Sequence, residues 1–165
     1  MTTQKAVPLH ASAAKGKIFL GSDHGGFTLK EHIKSFLEKR GYAVLDIGAY
    51  SYKKTDDYPD FAIPLAEHVA AVKDSFGILL CKSGQGACVA ANKVRGARAT
   101  QSWNEASACA SRRDDDSNIL CLGSDFLTKK TAETIIQAWL ATPFSGLSRH
   151  SRRIKKITVY ENNRD

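Results

Sequence analysis

Apolar positions along the chain come in short blocks whose period changes repeatedly from strand-like to helical. Lys17–Ser22 reads KIFLGS, an apolar run closed by small residues, and predicts a short buried strand. In Phe27–Arg40 the residues Leu29, Ile33, Phe36 and Leu37 fall on one helical face, and Gly41 is a natural stop. Tyr42–Ile47 predicts a second strand. Pro59 then opens a helix with Phe61, Leu65 and Val69 on its apolar side; proline is tolerated there because a first-turn N–H lacks a helical partner anyway. Phe76–Cys81 (FGILLC) predicts a third strand, and Gly84-Gln85-Gly86 leads into a helix through Cys88–Asn92. Ala97–Gln101 is a weak fourth strand, Glu105–Arg113 a helix and Asn118–Leu122 a fifth strand. Lys130–Leu140 is an amphipathic helix ended by Pro143, and Arg149–Tyr160 a last helix with a basic face.

Strands alternating with helices predict an α/β fold with a parallel sheet covered on both faces. Five strands suit a flavodoxin-like, Rossmann-like doubly wound sheet of order 2-1-3-4-5, followed by a C-terminal basic helix. Ligands of such sheets bind outside the carboxyl ends of the strands at the switch point, here between the first and third strands. The turn Ser22-Asp23-His24-Gly25-Gly26 should therefore face the turn Cys81-Lys82-Ser83-Gly84-Gln85-Gly86 across one crevice. Residues 1–15 are small and polar, lack the apolar core of a secretory signal and read as a disordered tail or leader. Residues 16–165 read as a single domain, with 147–165 as a helical arm.

At 165 residues the chain suits one domain with a substantial core. No apolar run approaches the roughly 20 residues needed to span a bilayer, so no membrane partner is expected. The four cysteines, Cys81, Cys88, Cys109 and Cys121, form no CxxC pair and have no histidine at metal-site spacing. Cys88, Cys109 and Cys121 read as small core residues, and the set suits a reducing, cytoplasmic setting. The formal net charge is +7, with much of the excess in Arg149, Arg152, Arg153, Lys155 and Lys156. That cluster is either a solvated helix face or an anion site, for phosphate or nucleic acid. The nucleic-acid reading lacks interleaved aromatics and a known module, so no nucleic-acid partner is expected.

Cys81 ends an apolar strand just before a glycine-rich turn into a helix, where a thiol could act as thiolate; a buried structural cysteine is the competing reading. Gly84 and Gly86 let the backbone approach a ligand, and the N–H groups of that turn could hold an oxyanion. A cysteine phosphatase needs arginine six residues after its cysteine, and that position is Ala87. The P-loop pattern is absent too. Asp23 and His24, before two glycines at a strand end, are poor core material and good ligand groups. His32 and His68 fall within helices and read as surface residues. Arg149 and Arg153 lie one helical turn apart with His150 beside them, a plausible phosphate clamp.

Four separated motifs add a resemblance. GSDHGGF at Gly21–Phe27, DYPDFA at Asp57–Ala62, CKSGQGACVAANKV at Cys81–Val94 and RHSRRI at Arg149–Ile154 resemble the ribose/galactose-6-phosphate isomerase family, which includes type B ribose-5-phosphate isomerase. The resemblance runs from about Lys17 to Ile157. It implies a cofactor-independent aldose–ketose isomerase of the pentose phosphate pathway, acting on a small sugar phosphate. It further implies a homodimer, or a tetramer, with sites at the subunit interface. By resemblance Cys81 is the general base, Ser83 relays a proton between the sugar oxygens, and Asp23, His24 and Tyr58 contact the substrate. Arg149, His150 and Arg153 match the phosphate-binding group. The branch of the family without this cysteine uses a glutamate at the place of Ala87.

Three positions depart from the pattern. Asp114 stands where the ring-opening histidine is expected, Asp115 replaces an asparagine, and Asp125 occupies a place often held by a phosphate-binding arginine. Asp114 is then the candidate ring-opening residue, its pKa raised if Asp115 and Asp116 crowd it with like charge. Drift within a subfamily, a different sugar phosphate of the allose or galactose 6-phosphate type, and a non-catalytic sugar-phosphate-binding protein are the alternatives. No metal site is expected.

Overall fold

In the computed structural model, which describes residues 16–163, strands and helices alternate as the periodicity predicts. The elements are β1 (Ile18–Ser22), α1 (Phe27–Lys39), β2 (Val44–Gly48), α2 (Pro59–Ala71), β3 (Phe76–Cys81) and α3 (Gln85–Ala91). Then come β4 (Ala99–Gln101), α4 (Glu105–Asp115), β5 (Ile119–Gly123), α5 (Lys129–Ala141) and α6 (Ser148–Asn162). The expected tail, residues 1–15, lies outside the described residues. No helix among the described residues is long and apolar enough to cross a membrane.

All strand pairs are parallel, and the sheet order is β2-β1-β3-β5-β4 rather than the expected 2-1-3-4-5. The exchange of the last two strands has a plain cause. β5 is buried at all five positions and pairs with β3 from Gly77↔Ile119 to Cys81↔Gly123. β4 has three residues, two of them only half-buried, and pairs with β5 alone. A strand held between two others needs continuous apolar sequence, whereas an edge accepts a short, partly polar one. The exchange leaves the switch point between β1 and β3 where the sequence places it.

Each central strand divides its side chains between two cores, as the two-residue period requires. Ile18, Leu20, Ile78, Leu80, Leu120 and Leu122 pack against α1, α5 and Ala108 of α4. Phe19, Leu79, Cys81, Ile119 and Cys121 pack against α2 and α3 on the other side. Cys81 thus ends β3 on the α2–α3 side of the sheet. One charge is sunk into this frame. Lys30 of α1 is fully buried, and its Nζ lies 2.8 Å from both carboxylate oxygens of Asp46 on β2. Asp46 also accepts from Lys34 and from the Gly48 N–H.

α4 and α5 begin with side-chain caps, Asn104 accepting from the Ser107 N–H and Thr128 from the Thr131 N–H. α1 and α3, whose first turns open on the crevice between β1 and β3, start on Gly26 and Gly84 without any side-chain cap.

Candidate active site

The turns after β1 and β3 meet as expected. A Cβ on Gly26 would lie 2.3 Å from the carbonyl oxygen of Leu80, so only glycine lets the first turn lie flush against β3. The hydroxyl of Ser124, after β5, donates to the carbonyls of Gly25 and Cys81 and ties the three turns together. Asp23 is buried and accepts from the Gly26 N–H at 3.1 Å. Burial pushes its carboxyl above the ordinary value, and the Gly26 hydrogen bond and neighbouring His24 offset that only in part. His24 is tied to Asp56, whose Oδ1 accepts from its backbone N–H at 2.8 Å and lies 2.7 Å from its Nδ1. No hydrogen bond or ion pair engages its Nε2 among the described residues.

Across the crevice the backbone of Gly84 is left-handed, with φ of 80°, which suits glycine. This turn brings its N–H to 3.1 Å from the Cys81 sulfur. Cys81 is a free thiol, 4% exposed. Ser83 is half-buried; its hydroxyl accepts from the Gln85 N–H, and its carbonyl accepts from the Gln101 side chain. The Tyr58 ring lies over Gly86, where a Cβ would come within 2.7 Å of its Cζ. Asp23, His24, Tyr58, Cys81, Ser83, Gly84 and Gly86 therefore share one end of the sheet.

The remaining candidates form a second group around the end of α4 and the start of α6. Asp114 makes a two-pronged ion pair with Arg113, at 2.8 and 2.9 Å. That guanidinium, with Arg149 adding to it, holds the Asp114 carboxyl below its ordinary value. The expected upward shift from like charges is therefore reversed: Asp116 turns away at the helix end to bind Arg98 and Arg112. Asp115 is exposed on the last residue of α4. Arg149 and Arg153 are exposed on α6, but His150 does not sit beside them on that face. It is the one buried residue of α6, turned toward Ser145 and Asp114. Among the described residues, no hydrogen bond or ion pair joins the two groups.

Three expectations about other residues need adjustment. Cys121 is buried as expected, but Cys88 and Cys109 are half-buried, because α3 and α4 each show one flank to solvent. His68 is exposed, as expected, and stacks on Phe19, whereas His32 is half-buried rather than on the open surface and pairs with Glu133. Asp56, Gln101 and Ser124 support the site and escaped sequence reasoning; each is one polar residue among others in a loop or at a strand end, where no periodicity marks it. Among the described residues, no cluster of three or more His, Cys, Asp or Glu side chains could hold a metal ion.

A sequence model of the ribose/galactose isomerase family matches residues 18–157. Ribose-5-phosphate isomerase B of Mycolicibacterium paratuberculosis is 41% identical over 145 residues, covering 88% of this chain and 91% of that protein. The crystal structure of ribose-5-phosphate isomerase B from Mycoplasma genitalium with bound ribulose 5-phosphate is 41% identical and superposes with a TM-score of 0.86, covering 90% of this chain and 97% of that one. The Clostridium thermocellum ribose-5-phosphate isomerase B structure is 43% identical with a TM-score of 0.85, covering 88% and 97%.

Proposed function

Because the chain belongs to the ribose/galactose isomerase family, we infer that it interconverts ribose 5-phosphate and ribulose 5-phosphate through an enediolate, with Cys81 as the base. The observation that carries this reading is the Cys81 sulfur at the crevice, with the Gly84 N–H aimed at it. Cys81 takes the proton from C2 and returns it to C1. Ser83 moves a proton between O1 and O2, and N–H groups of the Ser83–Gly86 turn face the charge that builds on the enediolate. Asp23, His24 and Tyr58 hold the sugar. The reaction moves protons and leaves carbon at the same overall oxidation level, so it calls for no cofactor. A direct test is to follow ketose formation from ribose 5-phosphate; absence of ketose would overturn the reading.

Arg149 and Arg153 hold the phosphate, with Asp114 and Asp115 at the sugar end. These residues and the Cys81 group lie in separate parts of the chain, which supports a homodimer in which each site takes Cys81 from one protomer and α6 from its partner. Exposed Ile157, Val159 and Tyr160 on α6 give that arm an apolar surface for the contact. All four cysteines are free, in keeping with a cytoplasmic enzyme. Replacing Arg149 or Arg153 with Ala should cost about 1.5–3 kcal/mol of transition-state binding, the usual worth of a hydrogen bond to a charged group. The loss should fall mainly on KM, measured in steady state; an unchanged KM in both variants removes the clamp.

Asp114 is the ring-opening base. Arg113 keeps it ionised, so it can accept the anomeric proton but has none to give. Asp114→Asn should slow turnover of ribose 5-phosphate, which closes to a furanose, more than turnover of ribulose 5-phosphate, whose O5 carries the phosphate. Equal losses in the two directions would assign Asp114 a structural role. The acids at Asp114, Asp115 and Asp125 also favour a second reading, isomerisation of another sugar phosphate; comparing turnover of ribose, allose and galactose phosphates decides between the two.

A further inference from the structure

His150 matches a phosphate-binding group by resemblance, yet in this fold its ring is sealed. The residue is 5% exposed. Its Nδ1 lies 2.8 Å from the Ser145 hydroxyl and 3.7 Å from Asp114 Oδ1. Its Nε2 accepts from Arg149 Nε at 3.1 Å. The pattern of donors fixes the tautomer. A guanidinium nitrogen only donates, so Nε2 must present its lone pair, and the ring proton sits on Nδ1 and points to Ser145. The Ser145 hydroxyl is itself anchored, accepting from the Leu147 N–H, while the Ser145 N–H donates to the Arg113 carbonyl on α4. A chain of contacts thus runs from α4 through the loop to the ring and out to Arg149. Every ring edge that could reach a phosphate is already occupied.

We propose that His150 is a positioning residue: it holds Arg149 by Nε so that the two terminal nitrogens of the guanidinium meet the substrate phosphate end-on. A flexible arginine on an exposed helix face otherwise loses rotamer freedom on each binding event, and a fixed Nε bond removes part of that cost. The inference rests on the reading of Arg149 as a phosphate ligand.

The test is a double-mutant cycle on KM for ribose 5-phosphate, with thermal melts to confirm folding. His150→Leu should raise KM about tenfold, the scale of one hydrogen bond to a charged group, and leave kcat within about twofold. In an Arg149→Ala background the same change should add less than about twofold, because its effect passes through Arg149. His150→Gln, which keeps an acceptor for Nε, should recover most of the loss. If His150→Leu does not fold, Ser145→Ala frees the other tautomer and should show the same dependence on Arg149 with a smaller rise. A full, multiplicative effect of His150→Leu on top of Arg149→Ala, or no rise in KM in a folded single variant, overturns the proposal alone. An unchanged KM in Arg149→Ala overturns the clamp reading and the proposal with it.

Discussion

Cys81→Ala is expected to lower kcat by on the order of 10³-fold, within the range of about 10²–10⁴ that a positioned general base contributes. The variant should keep its fold. Cys81 is buried at the end of β3, where the missing sulfur leaves a small gap and one N–H, that of Gly84, without its acceptor. Substrate binding should survive, because the groups proposed to hold sugar and phosphate are elsewhere. Cys81→Ser should be severely impaired too, since a hydroxyl is a much weaker acid than a thiol and supplies almost no anion at neutral pH. The check is kcat with ribose 5-phosphate beside a binding measurement and a thermal melt. Near-normal turnover in Cys81→Ala removes the residue from the mechanism; loss of turnover together with loss of fold makes it structural.

Asp46→Ala should be the most destabilising single change near the crevice, by roughly 3–5 kcal/mol, because it strips a fully buried Lys30 of its main partner. Lys30 keeps Glu31 at 2.8 Å, but that carboxylate is half-exposed and screened. At about 2–4 °C per kcal/mol for a chain of this size, the melt should fall by roughly 6–20 °C. Adding Lys30→Met should recover much of the loss, since it removes the stranded charge and keeps the volume; a double variant as unstable as the single would place the cause elsewhere. The same pair gives a pH dependence. Burial raises the Asp46 pKa, but the hydrogen bonds from Lys30, Gly48 and Lys34 outweigh burial and leave it lowered in the fold. A lowered folded value means that the carboxylate stabilises fully above its unfolded value of about 3.9, and the contribution is lost as pH falls through the folded value. The melt of the wild type should therefore fall on acidification below about pH 4 more steeply than that of Asp46→Ala.

What the sequence makes legible here is what periodicity and glycine encode. FGILLC and the ILCL of Ile119–Leu122 are apolar throughout, and their large side chains alternate between two cores, so β3 and β5 are plain in the sequence. The crevice was legible because Gly26 and Gly84 mark close approach and a left-handed turn beside Asp23, His24 and Cys81. Order at the sheet edge was not, because periodicity says how deeply a strand is buried but not which neighbour it takes; the short ATQ of β4 signals an edge only once its burial is known. Side-chain pairing was legible least. A run of three aspartates suggests mutual repulsion, yet helix geometry sends Asp114 to Arg113 and Asp116 to Arg98 and Arg112, and leaves Asp115 exposed to solvent. His150 next to Arg149 suggests a shared face, yet adjacent helical residues diverge by about 100°, and one is buried while the other is exposed.

An enediolate route requires proton transfer at C2 of ribose 5-phosphate. Nuclear magnetic resonance of ribose 5-phosphate incubated with the enzyme in deuterium oxide tests it most directly. Ribulose 5-phosphate should accumulate deuterium at C1, and recovered ribose 5-phosphate should carry deuterium at C2, over repeated turnovers. Failure to form ketose, or ketose formed over many turnovers with no deuterium at either carbon, would contradict it.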